Sequence, residues 1–352
     1  MVRSLSNPFR GTGLPAPLSD PREFPSTDHN AVAALLALCP KHAPTPLAIA
    51  PSVADAAGVG SVLIKDERGR MGLGSFKALG AAYAIAADAQ RLRTGDWDDA
   101  LAGRVYVTAS AGNHGLSVAA GARIFGALAV IYLAETVPEA FAGRLRATAA
   151  RVVRAGSTYE ESMQAAEDAA AENGWQLLSD SSWAGYTTWP TAVMEGYLQM
   201  AAEITDEMAA APDVILLQAG VGGLAASLAA HFRAVWGDSP VIIVVEPEAA
   251  PALTESVRAG ELLDTEGPVS SMGRLDCKTP SLVALEGLAR DADHFVTITE
   301  DEARDGIQAL ADHGFETTPS GGAGLAALLS GVPGCNGNLT VLAILSEGPE
   351  DG

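Results

Sequence analysis

Lysine occupies only four of the 352 positions (41, 65, 77 and 278), against 43 aspartates and glutamates, and the net charge is −21. That shortage of positive charge excludes the broad basic surfaces on which nucleic acids and anionic membranes dock. An acidic exterior also cannot draw an anionic small molecule inward, so such a ligand needs local cations or backbone donors. Cysteine is scarcer still. Cys39, Cys277 and Cys335 are too few and too dispersed for a disulfide framework or a zinc site, and no metal is expected. Long hydrophobic runs are missing as well: the longest, 214–230, is broken by Gln218 and three glycines and falls short of a membrane span. The first ten residues hold no apolar segment of the secretory kind, so a cytoplasmic, reducing location is the expectation.

What is present is a large apolar content, 48% over 352 residues, enough for a sizeable core and two domains. Short β-branched runs alternate with alanine-rich helical runs, the pattern of βαβ units around a parallel sheet. The pattern predicts strands at 104–108, 128–133, 151–154, 175–178, 213–218, 240–245, 295–299 and 339–345. It predicts helices at 77–91, 113–126, 137–149, 158–173, 187–210, 222–236, 300–313 and 321–330. The proline-rich, polar first forty residues read as an arm over the body or over a partner subunit. The strands fall into two groups, so the expected architecture is α/β and two-lobed. Residues 1–91 and 191–352 would form the large lobe and 92–190 a smaller, mobile one, with ligands held between them at the carboxyl ends of the strands.

Lys77 lies in Gly72-Leu-Gly-Ser-Phe-Lys-Ala-Leu-Gly80, on the entry to a helix between small residues. Such a setting, with Phe76 beside it, suits an amine that forms an imine with an aldehyde, because desolvation or a nearby cation must lower a lysine pKa for that purpose. A lysine whose stem covers apolar neighbours looks much the same. Gly220-Val221-Gly222-Gly223-Leu224 joins a strand to a helix, where amides and the helix N-terminus can hold a phosphate; glycines there can also mark nothing more than a tight turn. Thr108-Ala109-Ser110-Ala111-Gly112-Asn113-His114-Gly115 opens another helix after a strand. It offers hydroxyl and backbone donors to a substrate carboxylate, with Asn113 available to a cofactor hydroxyl and His114 either structural or catalytic. Ser346, at the end of the last strand, can hydrogen-bond a pyridine nitrogen without protonating it.

In this order along one chain, Ser-Phe-Lys, Ser-Ala-Gly-Asn-His-Gly, Gly-Val-Gly-Gly-Leu and Leu-Ser-Glu-Gly resemble the tryptophan-synthase-β-like (fold type II) pyridoxal phosphate enzymes. Within them the chain is most similar to the diaminopropionate ammonia-lyase family. The likeness covers about residues 40–348 and includes Pro44-Thr-Pro-Leu47, Lys65-Asp66-Glu67, Asp180-Ser-Ser-Trp-Ala-Gly-Tyr186, Pro190-Thr191, Met194-Glu-Gly-Tyr197 and Val245-Glu246-Pro247. The Trp-Ala-Gly-Tyr segment is its most discriminating part.

The resemblance implies pyridoxal 5'-phosphate bound by Phe76, Lys77, Asn113, Gly220, Val221, Gly222, Gly223, Leu224 and Ser346. Lys77 would carry the cofactor aldehyde and act as base, and Asp180 would bind or help expel a leaving amine. Ser110, Ala111, Gly112 and His114 would contact a small amino-acid substrate, and a homodimer is expected. The implied reaction is β-elimination, foremost from 2,3-diaminopropionate to pyruvate and ammonia. One departure stands out: the family usually carries an aspartate where this chain has Ala111, as threonine and serine dehydratases do. That favours the L isomer and, with Ser110, keeps open a serine, threonine or hydroxyaspartate dehydratase; a β-replacement synthase and a binding protein without chemistry are further alternatives. Arg274 and Asp276, on a loop expected near the substrate, are specificity candidates.

Overall fold

The computed structural model describes residues 2–19 and 26–349. Its strands are β1 (Arg3–Ser6), β2 (Leu47–Ile49), β3 (Val59–Asp66), β4 (Val105–Ala109), β5 (Leu128–Leu133), β6 (Arg151–Arg154), β7 (Gln176–Leu177), β8 (Val214–Gln218), β9 (Val241–Pro247), β10 (His294–Ile298) and β11 (Gly337–Leu345). One sheet runs β1-β10-β9-β8-β11-β3-β2 and the other β6-β5-β4-β7. The smaller sheet is wholly parallel, and the larger is parallel except for its edge strands β1 and β2. Strands covered on both faces read as unbroken apolar runs. Val214-Ile-Leu-Leu-Gln218 is buried throughout.

The α/β class and the parallel sheets agree with the sequence pattern. Three strands escaped it. β1 and β2 are short, and β3 ends in Lys65-Asp66, charges that disguise an interior strand. Lys65 is fully buried because its Nζ donates to Thr45 O at 2.6 Å and pairs with Glu203 at 2.7 Å. Arg70, equally buried, pairs with Glu67 and Glu203, each at 2.7 Å. The anticipated arm is in part structural: residues 3–6 pair with β10, and residues 20–25 lie outside the described part of the chain. Helices His29–Leu36, Pro51–Ala57, Ala252–Ala259 and Leu282–Asp291 were also not anticipated.

The helix expected over 187–210 divides into Thr188–Gly196 and Leu198–Glu207. At the break Gly196 packs on helix Lys77–Leu92, where a Cβ on it would come within 2.5 Å of Leu79 O. A Cβ on Gly80 would lie 2.7 Å from both Val193 and Tyr197. Two glycines therefore let these helices touch and set the position of Lys77.

Candidate active site

Lys77 is the first residue of its helix. The chain reaches it through a left-handed bend, with φ of +51° at Met71, +71° at Gly72 and +79° at Gly74. Two main-chain bonds then pin the segment to the exit of β11: Gly348 N donates to Gly74 O at 3.0 Å, and Phe76 N to Ser346 O at 3.1 Å. Lys77 and Ser346 are thus neighbours by backbone design.

The loop after β4 is held by its own serine. Ser110 Oγ accepts from Gly112 N at 3.2 Å and Gly115 N at 3.1 Å. Asn113 and His114 open helix Asn113–Ile124. Asn113 Nδ2 donates to Glu347 Oε2 at 2.6 Å, and His114 Nε2 meets Leu178 O at 2.8 Å. Burial lowers the His114 pKa, so a neutral ring donating from Nε2 to that carbonyl fits its surroundings.

Asp180 follows β7, and its carboxylate pairs with the Lys77 ammonium. The Trp183–Tyr186 turn secures this stretch. Gly185 takes a φ of +83°, the two rings stack 4.4 Å apart, and Tyr186 hydroxyl donates to Leu177 O at 2.9 Å while accepting from Ser179 N at 3.1 Å.

The glycine run follows β8 and opens helix Gly223–Trp236, with Gly222 at φ +101°. A Cβ on Gly220 would lie 3.0 Å from Arg274 O and Cys277 Sγ, so the run is packed directly on segment 272–278. Its carbonyls are engaged: Val221 O accepts from Ser281 N at 2.9 Å and Gly222 O from Ala226 N at 2.9 Å. No side chain caps the helix, and among the described residues the N–H groups of Gly222, Gly223 and Leu224 meet no acceptor. The site therefore gathers the exits of β4, β7, β8 and β11, the edge where α/β sheets receive ligands.

Burial disfavours both charges of the Lys77–Asp180 pair, yet their mutual attraction prevails. It raises the Lys77 pKa and lowers that of Asp180. The environment expected for an imine-forming lysine, desolvated or near another cation, is thus only half present: the neighbour is an anion. Burial pushes the Tyr197 phenol and the Cys277 thiol each up to about 12, so both stay protonated at neutral pH.

Contacts link the predicted residues in pairs: Lys77 with Asp180, Phe76 with Ser346, Asn113 with the Glu347 that follows Ser346, and Gly112 and Gly220 with Arg274, while Ser110 and Ala111 line a smaller cavity. Sequence reading overlooked Tyr159, Cys277 and Glu347. Tyr159 opens helix Tyr159–Asn173 and keeps 52% of its surface exposed, while partial burial of its hydroxyl and the charge of Asp180 hold its pKa up. With Ser110 and Ala111 it lines a cavity of about 170 Å³. A larger cavity, about 430 Å³, lies at the opposite edge of the small sheet and includes none of these residues. Of the two specificity candidates, Arg274 Nη1 donates to Glu347 Oε1 at 2.8 Å, whereas Asp276 pairs with Lys278 at 2.6 Å. Among the described residues no cluster of three or more His, Cys, Asp or Glu is arranged to hold a metal, and no helix is long and apolar enough to cross a membrane.

The unmet amides at the start of helix Gly223–Trp236 suit a phosphate, and the Ser346 hydroxyl, the Asn113 amide and the Lys77 amine suit a pyridine ring with an aldehyde. Pyridoxal 5'-phosphate therefore fits the donor set. A family model described as "Pyridoxal-phosphate dependent enzyme" matches residues 38–347. Diaminopropionate ammonia-lyase of Escherichia coli (strain K12) is 31% identical over 283 residues, covering 76% of this chain and 71% of that protein. Human serine dehydratase-like protein is 27% identical over 230 residues, 65% of this chain and 68% of its own. Among solved structures, Escherichia coli diaminopropionate ammonia lyase in complex with an aminoacrylate–PLP azomethine reaction intermediate superposes with a TM-score of 0.85 at 27% identity, covering 99% of this chain and 94% of that one.

Proposed function

The chain belongs to the pyridoxal-phosphate dependent enzyme family, and from that premise we propose that it is an ammonia-lyase removing the β-substituent of a small amino acid, foremost L-2,3-diaminopropionate, to give pyruvate and ammonia. The observation that carries this reading is the Lys77–Asp180 pair, which sets a base and an anion side by side in one cleft. The 31% identical relatives that bear the ammonia-lyase name support it.

Pyridoxal 5'-phosphate, when bound, supplies the aldehyde that joins amines and the ring that draws electrons from Cα. The amides of 220–224 hold its phosphate. Asn113 and Phe76 orient the ring, and Ser346 offers its nitrogen a neutral partner, which suits elimination. The loop 110–114 receives the substrate. Its β-ammonium would compete for the Asp180 carboxylate and so free Lys77 Nζ, which, neutral after giving its proton to solvent, would take one from Cα. Asp180 accepts hydrogen bonds from the departing amine. Segment 92–190 closes over the substrate to exclude water. Two copies of the chain form the working enzyme, in the cytoplasm.

A second reading, a serine, threonine or hydroxyaspartate dehydratase, is favoured by Ala111, which puts no acid or base on its side of the substrate. Product ratios separate the two: diaminopropionate with one water gives two ammonia per pyruvate, serine gives one. The test is a screen of both diaminopropionate isomers, serine, threonine, hydroxyaspartate and cysteate, with Lys77→Ala as control and thiols added to reveal any replacement product. The L isomer should turn over with two ammonia per pyruvate and the D isomer weakly or not at all. Comparable rates for both isomers would refute the role given to Ala111, and turnover of hydroxy amino acids alone would favour the second reading.

A further inference from the structure

Lys77 and Asp180 serve the Cα and β-amino ends of the substrate, and within loop 110–115 the Gly112 and Gly115 amides already donate to Ser110 Oγ. The acidic end of the substrate lacks a cationic partner in that account. Arg274 supplies one. Its root is wedged against the glycine run, with its carbonyl 3.0 Å from where a Cβ on Gly220 would stand, and its N–H donates to Ser320 Oγ at 3.0 Å. From there the side chain crosses the cleft. Nη1 donates to Glu347 Oε1 at 2.8 Å, and Nε lies 3.7 Å from the position a Cβ on Gly112 would take. The guanidinium thus lies within van der Waals reach of the loop at Gly112. Glu347 also accepts from Asn113 and Thr318, so it is a fixed anchor that sets the plane of the guanidinium. A third of the Arg274 side-chain surface, 33%, stays accessible.

We propose that Arg274 is a specificity-determining residue that holds a carboxylate of the amino-acid substrate against loop 110–115, across the cleft from Asp180. The proposal rests on the β-elimination reading and deepens it. A guanidinium presents parallel N–H donors that match a carboxylate in a plane, which an ammonium does not. With an anion at one end and a cation at the other, the cleft selects molecules that carry both an amine and an acid, separated by the span of a small amino acid.

The test titrates the holoenzyme and its Arg274→Ala and Arg274→Lys variants with L-2,3-diaminopropionate, its carboxamide, and 3-hydroxyaspartate, following the cofactor absorbance for binding and steady-state rates for KM and kcat. Arg274→Ala should weaken diaminopropionate binding about 10- to 100-fold, with kcat changed less than KM, while carboxamide binding shifts by no more than about twofold. Arg274→Lys should recover part of the loss. A loss confined to 3-hydroxyaspartate assigns the contact to a side-chain carboxylate and still supports the proposal. Equal weakening for acid and carboxamide, or no weakening for any of the three ligands, overturns it, since Arg274 then acts only through Glu347 or not at all. Absence of any wild-type absorbance response to all amino acids defeats the elimination reading itself, a result distinct from failure at Arg274.

Discussion

The Lys77 ammonium rests against the Asp180 carboxylate across 103 residues of chain. One partner begins a helix fastened to the end of β11, and the other follows β7 of the smaller sheet, so the contact joins the two sheets at the cleft. Each side chain keeps about a quarter of its surface or less accessible, 24% and 21%, which leaves a ligand room to part them.

Asp180→Asn should act on the leaving group. An asparagine keeps the shape but cannot hold the β-ammonium that leaves as neutral ammonia, so kcat for diaminopropionate should fall by about 10² to 10⁴, the range of a positioned acid or base. Substrates whose β-substituent is uncharged should suffer less. Steady-state kinetics on a pair of such substrates checks this, and equal losses for both would remove Asp180 from leaving-group chemistry.

The same pair sets a pH window for the cofactor-free protein. Asp180 has a depressed pKa, so its contribution is present above its ordinary value of 3.8 and is lost as pH falls through the folded value. Lys77 has a raised pKa, so its contribution is present below 10.5 and is lost as pH rises through the folded value. The Tm difference between wild type and Asp180→Asn should be level between these limits and shrink outside them. A difference that varies steadily through neutral pH would contradict it.

Gly80→Ala reverses the usual helix rule. On an exposed helix that change stabilises by up to about 1 kcal/mol. Here the new Cβ would lie 2.7 Å from Tyr197 Cε1 and 2.8 Å from Val193 O. Overpacking of this kind costs about 1–3 kcal/mol, and it would displace Lys77 one turn away. Urea unfolding should show a lower midpoint, with activity reduced beyond what the lost stability explains.

Glu203→Gln tests the buried charge cluster. Burial alone would raise the Glu203 pKa, but Arg70 and Lys65 hold its carboxyl at about 2. Neutralising it leaves Lys65 and Arg70 facing Glu67 alone, a net buried positive charge. Breaking one member of such a cluster costs about 3–5 kcal/mol, measurable as a large loss in denaturant midpoint.

Much of the cleft was legible because turn chemistry marks it. Asn113 and residues 220–224 stand where a strand gives way to glycine or asparagine and then to a helix, Lys77 begins a helix behind a glycine bend, and Ser346 closes the last strand; parallel sheets collect such junctions on one edge. Asp180 came from the family resemblance, in a stretch whose Trp183, Gly185 and Tyr186 form a turn. Tyr159 carried no such mark: a half-exposed tyrosine opening an amphipathic helix looks like any surface residue, and only the fold sets it at the cavity beside Ser110 and Ala111. Cys277, one of three scattered cysteines, became part of the site only when its loop packed on Gly220.

Local chemistry along the chain determined the α/β class, the strands of the parallel core apart from β3, and the junction residues, because period and turn propensity act over a few positions. Tertiary structure decided what those residues face. The charged end of β3 became interior only with Glu203 in place, the helix over 187–210 broke where Gly196 meets Gly80, and Arg274 met Glu347 across 73 residues. Such pairings depend on which distant segments the fold brings within a few ångströms, and spacing along the chain does not encode them.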